Sequence, residues 1–213
     1  MSRRITLNAR TVDSAAAEAA SVLWQDGILL YPTDTVYGIG VDATNTAAVE
    51  AVLQLKQRLP EKGISVMVPD AATLFRYISL NEAGENLAHA LLPGALTLVG
   101  IPKVPFPELV TGGTGSLAVR VPNDSFCREV AAAAEVPITA TSANVSGQET
   151  GTDVDAILEQ FGDAAHMIEL TIDAGTCSGG VPSTVVDAAG GGIRIIREGA
   201  INTETVEKAA YGA

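Results

Sequence analysis

The chain is poor in the residues that build redox and metal sites. Cys127 and Cys177 are its only cysteines in 213 residues, and they form no CxxC. A reduced pair is expected, as in a cytosolic protein. His89 and His166 are the only histidines, and neither sits beside a cysteine or a carboxylate cluster. That pattern argues against a zinc site and against a Ser-His or Cys-His nucleophilic pair. Basic residues are also few, 13 against 25 acidic ones, for a net charge of −12. Such a surface is not built mainly to hold nucleic-acid backbone, although 13 basic residues are enough to line one cleft. No apolar run is long enough to span a bilayer. The start, MSRRITLNARTVD, has basic residues with no apolar stretch behind them, which makes a poor secretion signal. The expected compartment is the cytoplasm, with no membrane contact.

What the chain does have is apolar residues, 47% of the total, enough for a substantial core. Helix and strand signals alternate along it. Helical patterns cover Val12 to Gln25, Thr46 to Gln57, Ala71 to Tyr77, Asn81 to Leu91, Asp124 to Ala134, Asp153 to Phe161 and Thr203 to Ala210. Strand patterns cover Ile28 to Tyr31, Val36 to Val41, Ile64 to Val68, Leu96 to Ile101, Ser116 to Val121, Ile138 to Thr141, Met167 to Asp173, Ser183 to Asp187 and Ile193 to Arg197. No linker or repeat interrupts them, so a single α/β domain spanning 1–213 is expected. The segment Asp173 to Pro182 is Gly-rich, and the sequence leaves open whether it closes over a site.

The polar residues are grouped. YPTDTVYGIG (31–40), TATSANVSG (139–147) and VPSTVVD (181–187) concentrate hydroxyls and small residues. Lys56, Arg58, Lys62 and Arg120 lie between them. Glycines beside Ser, Thr and Asn let backbone approach a ligand, and Lys or Arg meets phosphate or carboxylate. An extended backbone points Tyr31, Thr33, Thr35 and Tyr37 to one side, a hydroxyl wall or simply a strand entering a turn. Lys56 and Arg58 end a helix, where they either answer its dipole or clamp a phosphate with Lys62 nearby. In SLAVRVP, Arg120 shares a face with Ser116 and Ala118, which gives a guanidinium room for a carboxylate, or else puts it on a solvated face. Ser142 and Asn144 suit phosphate or ribose oxygens as well as they suit a turn. Ser183 and Thr184 open a strand. Arg194 and Arg197 lie in a late strand whose alternation is imperfect.

In this order the segments resemble the YrdC/Sua5 family of threonylcarbamoyl-AMP synthases. The resemblance rests on YPTDTVYGIG, KQRL (56–59), PGALT (93–97), AVRVP (118–122), SANVSG (142–147), STVVD (183–187) and IREG (196–199), and covers about Thr11 to Ile201. Leu59, Ala95, Asn123 and the run Glu149, Thr150 and Gly151 depart from the family pattern and bear on loop rigidity. The chain ends soon after IREG and so resembles the short form of the family.

The resemblance implies a mixed, twisted β-sheet flanked by helices, with a concave ligand cleft. It implies synthesis of threonylcarbamoyl-AMP and pyrophosphate from L-threonine, bicarbonate or CO2, and ATP. The product feeds the threonylcarbamoyladenosine modification of tRNA at position 37 through a downstream transferase. By analogy Lys56 and Arg58 are catalytic and bind ATP together with Ser142, Asn144, Arg197 and Arg194. Thr35, Arg120 and Ser183 hold threonine, with Tyr37, Thr141, Thr184 and Thr33 lining the site. Mg²⁺ rides on the triphosphate and no residue is assigned as a metal ligand. Asp34 is the one nearby acid to consider, and a turn role suits it better. Two rivals remain at this point. One is a non-catalytic double-stranded-RNA-binding module of the same fold, with a weaker version being incidental RNA contact. The other is a carbamoyl-adenylate enzyme like the hydrogenase-maturation relatives, which take carbamoyl phosphate.

Overall fold

Ten consecutive residues, Lys56 to Ser65, separate a helix from a two-residue strand. The computed structural model describes residues 3–177 and 181–212. Along the chain these form β1 (Arg3–Thr6), α1 (Val12–Leu23), β2 (Ile28–Tyr31), β3 (Gly38–Gly40), α2 (Thr46–Leu55), β4 (Val66–Met67), α3 (Ala71–Tyr77), β5 (Ile78–Ser79) and α4 (Glu82–Leu91). There follow β6 (Leu96–Pro102), α5 (Glu108–Thr111), β7 (Leu117–Arg120), α6 (Ser125–Ala134), β8 (Ile138–Thr139), β9 (Thr141–Ser142), α7 (Val154–Phe161), β10 (Ile168–Asp173), β11 (Thr184–Asp187), β12 (Arg194–Arg197) and α8 (Thr203–Tyr211).

The strands make two mixed sheets where one was expected. One has the order β1-β10-β2-β3-β9, and the other β12-β11-β6-β7-β4-β8 with β5 on β6. The division falls inside Ile138 to Thr141, which reads as a single strand. Its first half, β8, pairs with β4, and its second half, β9, pairs with β3. Ala140 between them bonds sideways, its N–H to Ser65 O at 2.6 Å and its carbonyl receiving the Ser65 hydroxyl at 2.6 Å. One short apolar run thus joins two ladders.

Helices cover the sheets for ordinary reasons. α1 puts Ala15, Ala16, Ala19 and Leu23 against Phe126, Val130 and Ala134 of α6 and against Leu29, Leu170 and Ile172 of the first sheet. The alanines let the two helices lie close, and burying Phe126 or Leu23 stabilises by roughly 1.5–3 kcal/mol each. Asp124 caps α6 by accepting the Cys127 N–H at 2.8 Å, as the sequence predicts. Asn45, Asp70, Asn81, Asp153 and Asn202 cap five further helices in the same way.

Several elements escape a pattern-based reading. β1 carries two arginines and has no apolar alternation; it forms because β10 offers it a parallel ladder. α5 is a single turn inside a proline-rich loop, and β5 is two residues on the edge of β6. The strand expected at Val36 to Val41 shrinks to Gly38–Gly40. Thr33 is responsible, since its hydroxyl accepts the Thr35 N–H at 3.0 Å and bonds Val36 O at 2.7 Å, closing a local turn.

Candidate active site

The second sheet supplies a floor. Thr97 of β6 lies opposite Val185 of β11 on one side and Arg120 of β7 on the other, and Val99 lies opposite Ala118. On β7 the alternation puts Leu117, Val119 and Val121 fully into the core, while Ser116, Ala118 and Arg120 face away from it. Small side chains on that face leave a hollow of about 500 Å³.

Loops raise the walls. Thr35 and Val36 come from the turn after β2, Arg58 and Lys62 to Ser65 from the connection after α2, and Thr111 and Thr114 from the turn at α5. Ala140, Thr141 and Ser142 come from the β8–β9 junction, and Pro182, Ser183, Ile196 and Arg197 from the β11–β12 side. A bulge explains that last pair. Val185 pairs with Arg197 but Val186 with Ile195, so Ile196 has no partner, and both Ile196 and Arg197 border the hollow. It also accounts for the imperfect alternation in IRIIR.

Four cations, Arg58, Lys62, Arg120 and Arg197, border this hollow, and no Asp or Glu does among the described residues. In a chain of net charge −12 that is a local reversal of sign. Burial lowers the proton affinity of the Arg197 guanidinium, with nearby Arg120 adding to it, and burial does the same to Arg58. Guanidinium groups stay charged regardless, so the crowding appears as attraction for an anion.

Arg58 and Arg197 are aimed by backbone carbonyls, and Arg120 chiefly by side chains. Arg58 donates from Nε to Lys62 O at 3.0 Å and from Nη2 to Gly63 O at 2.7 Å. Arg197 donates to Ser183 O at 2.8 Å. Arg120 donates to Asp34 Oδ1 at 2.6 Å, to the Thr35 hydroxyl at 3.1 Å and to Gly94 O at 3.4 Å. That leaves one N–H free on each of its terminal nitrogens, enough for a two-point grip on a carboxylate. The other Asp34 oxygen accepts the Asn123 N–H at 3.0 Å. Asp34 is therefore more than a turn residue: it anchors Arg120, and both its oxygens are engaged. Hydroxyls complete the lining. Thr97 and Ser183 lie 2.9 Å apart, oxygen to oxygen, on the floor. Gly199 fits where a Cβ would run into Pro182 O and the Ser183 backbone, so the glycine of IREG keeps Ser183 in place.

The structure brings Thr35, Arg58, Arg120, Thr141, Ser142, Ser183 and Arg197 to this one hollow. Six other candidates, Thr33 among them, do not border it. Lys56 is 1% exposed, and its amine points into the turn at 142–144. Asn144 donates to Val145 O and Gln148 O, tying its own loop. Thr184 bonds Gly199 N–H and Ile201 O, latching the chain after β12. Tyr37 is buried and its hydroxyl bonds Gly175 O at 2.8 Å; with Thr33 it borders a small recess of about 50 Å³ next to Thr35 and Arg120. Arg194 is exposed and pairs with Asp187 at 3.0 Å, its direct neighbour across the β11–β12 ladder. Thr97, Ser65 and Thr114 line the hollow without having been singled out. The threonine of PGALT was a visible signal, whereas Ser65 and Thr114 depend on loop paths with no period to betray them. In the Gly-rich segment Asp173 to Pro182, residues 178–180 lie outside the described residues.

The class this structure defines is an α/β protein of two mixed sheets with a cation-lined, hydroxyl-rich hollow on one of them. The particular family follows from comparison. The model of the Sua5/YciO/YrdC family, described as telomere recombination, matches residues 21–199. The chain belongs to that family. It is 33% identical over 177 residues to the threonylcarbamoyl-AMP synthase of Idiomarina loihiensis, covering 80% of this chain and 91% of that one. It is 32% identical over 196 residues to the enzyme of that name from Klebsiella pneumoniae, covering 91% of this chain and all of that one. Among solved structures, P. abyssi Sua5 complexed with L-threonine superposes with a TM-score of 0.88 at 29% identity, over 98% of this chain and 60% of that one. This chain thus spans about three-fifths of the P. abyssi protein. E. coli YciO shares the fold, with a TM-score of 0.84 at 22% identity.

Proposed function

We propose that this protein is a threonylcarbamoyl-AMP synthase, an enzyme that joins L-threonine, bicarbonate or CO2, and the AMP part of ATP, releasing pyrophosphate. The observation that carries the reading is the carboxylate-free hollow with its four cations. Its size suits an amino acid placed beside a phosphate chain. The names borne by the relatives at 32–33% identity support the same reading.

The chemistry asks little covalent help from the protein. The threonine amine adds to CO2 and loses a proton to give a carbamate. A carbamate oxygen attacks the α-phosphorus, the bond to the bridging oxygen breaks, and pyrophosphate leaves. Positioning and neutralisation of phosphate charge are enough to drive such a step. Arg120, aimed by Asp34, takes the threonine carboxylate, with Thr35 and Ser183 around the rest of the amino acid. Arg58, Lys62, Arg197 and Ser142 take the phosphates. Mg²⁺ would travel with the triphosphate and offset part of its charge.

The chain works as one unit in the cytoplasm. Its product passes to a transferase that modifies tRNA, and RNA contact by this chain is at most weak. No helix among the described residues is long and apolar enough to cross a membrane. The test is pyrophosphate release with each substrate omitted in turn. Release only with threonine, bicarbonate and ATP together is expected. Release with carbamoyl phosphate in place of bicarbonate and threonine would overturn the proposal, and so would RNA binding without any release.

A further inference from the structure

Lys56 and Arg58 are two residues apart, yet they serve different places. The cause is the end of α2. Gln57 adopts a left-handed conformation (φ +50°), with its N–H bonded to Gln54 O at 3.0 Å and the Arg58 N–H bonded to Leu53 O at 2.9 Å. This paired pattern reverses the chain at the helix C-terminus. It sends the Arg58 side chain to the hollow and the Lys56 side chain behind its wall.

There the Lys56 amine faces oxygens only. Nζ donates to Asn144 O at 2.9 Å, to Asn144 Oδ1 at 3.4 Å and to Ser142 O. In its charged form the group has three donors for these three acceptors. It forms no ion pair with a carboxylate among the described residues. The lysine backbone joins in, since Lys56 O accepts the Ser146 N–H at 2.8 Å. The Ser142 hydroxyl bonds Asn144 Oδ1, so that amide oxygen is shared between Ser142 and Lys56. Two successive outward carbonyls, at 142 and 144, can point at one amine only if the chain curls around it. That curl places Ser142 on the wall of the hollow.

We infer that Lys56 is a positioning residue, whose buried amine shapes the loop 142–148 from behind and thereby presents Ser142 to the phosphate-bearing substrate without touching that substrate. A buried amine without a carboxylate partner is costly to keep, which is consistent with a task that an apolar side chain could not perform. The inference rests on the proposed nucleotide role of the hollow for its consequence, but not for its geometry.

The test uses Lys56→Met, which keeps the length of the side chain and removes the donors. Two quantities are read on the whole protein: amide hydrogen exchange of residues 142–148 with no ligand present, and affinity for ATP by titration. Faster exchange in this loop, at least tenfold at Ser146, together with at least a tenfold weaker ATP affinity is the expected result. Loss of ATP affinity with the ligand-free loop exchanging as in the wild type would mean that the amine meets phosphate directly, and would overturn the inference. Unchanged ATP affinity would overturn it as well, whatever the loop does. If Lys56→Met fails to fold, Asn144→Ala removes one of the amine's oxygens and leaves Lys56 in place. It should raise exchange at 142–148 severalfold, and an unaltered loop would count against the inference. Failure of the synthase reading is detected separately, as absence of pyrophosphate release by the wild type, because the exchange measurement needs no substrate.

Discussion

The floor and the rim of the hollow are built on different principles. The floor is three neighbouring strands, β11, β6 and β7, whose ladder fixes Val185, Thr97, Val99, Ala118 and Arg120 in rows. Backbone bonding does the positioning there, so the side chains are left to make the surface. The rim is loop, at 33–36, 58–65 and 140–148, and its side chains bond largely to backbone. A polar residue of the rim is therefore as often a fastener as a ligand, while on the floor Arg120 does both, holding Asp34 and Thr35 from a strand that the ladder already fixes.

Arg120→Ala attacks the floor where it meets the rim, and should have the largest effect. Threonine affinity is expected to fall about a hundredfold or more, because a charged hydrogen-bonded contact is worth roughly 1.5–3 kcal/mol. ATP affinity should change by no more than about threefold. Titration of each substrate separately checks this, and equal loss of both would erase the distinction between the two halves of the site. The melting temperature should drop too, since Asp34 loses its guanidinium partner.

Arg58→Ala attacks the rim, with an expected loss of about ten- to thirtyfold in ATP affinity, in line with one charged contact. Threonine binding should be nearly untouched, and unaltered ATP affinity would remove Arg58 from the phosphates.

The fastener role carries a pH signature of similar size. Burial, with a smaller contribution from the Arg58 charge, pushes the Lys56 amine down to about 7. An unfolded chain returns it to the ordinary lysine value, so between about pH 7 and 10 the unfolded state binds more protons. Stability then rises with pH through that window, by at most about 1.4 kcal/mol per unit. It is lost again as pH falls towards 7 and the amine must charge in place. Lys56→Met should flatten this slope in denaturant titrations at several pH values, and an unchanged slope would show that another group is responsible.

Ser183→Ala and Thr184→Val make the finest comparison, between adjacent hydroxyls. Ser183 faces the hollow and should cost a few-fold in threonine affinity with little change in stability. Thr184 is buried on the Gly199 and Ile201 backbone and should instead cost about 1–3 kcal/mol of stability. Denaturant midpoints beside threonine titrations would separate them, and reversed outcomes would exchange their roles.

Most helices and most strands are legible from apolar periodicity, because burial on one face imposes it. The face of Arg120 is legible for the same reason, period two along a strand. What the sequence does not reveal is the direction of polar side chains at element ends. Lys56 and Arg58 look like a pair in KQRL, and only the left-handed turn at Gln57 separates them. Arg194 and Arg197 look like another pair, and they part along the ladder: Arg197 lies opposite Val185, which borders the hollow, and Arg194 lies opposite Asp187, which does not. Two sheets in place of one follow from lateral bonding at Ala140, a residue whose methyl side chain does not advertise it. In each case the deciding feature is a backbone arrangement, local at Gln57 and long-range at Ala140, which composition and spacing do not encode.

The reversal of sign at the hollow also governs traffic. An exterior at −12 repels a triphosphate at long range, and the cationic mouth captures it only within about a Debye length, roughly 10 Å at 0.1 M salt. Raising ionic strength therefore eases the approach and loosens the grip at once. On the proposed function the two effects of salt therefore oppose each other, and the anion affinity of the hollow should depend on ionic strength less steeply than its four cations alone would dictate.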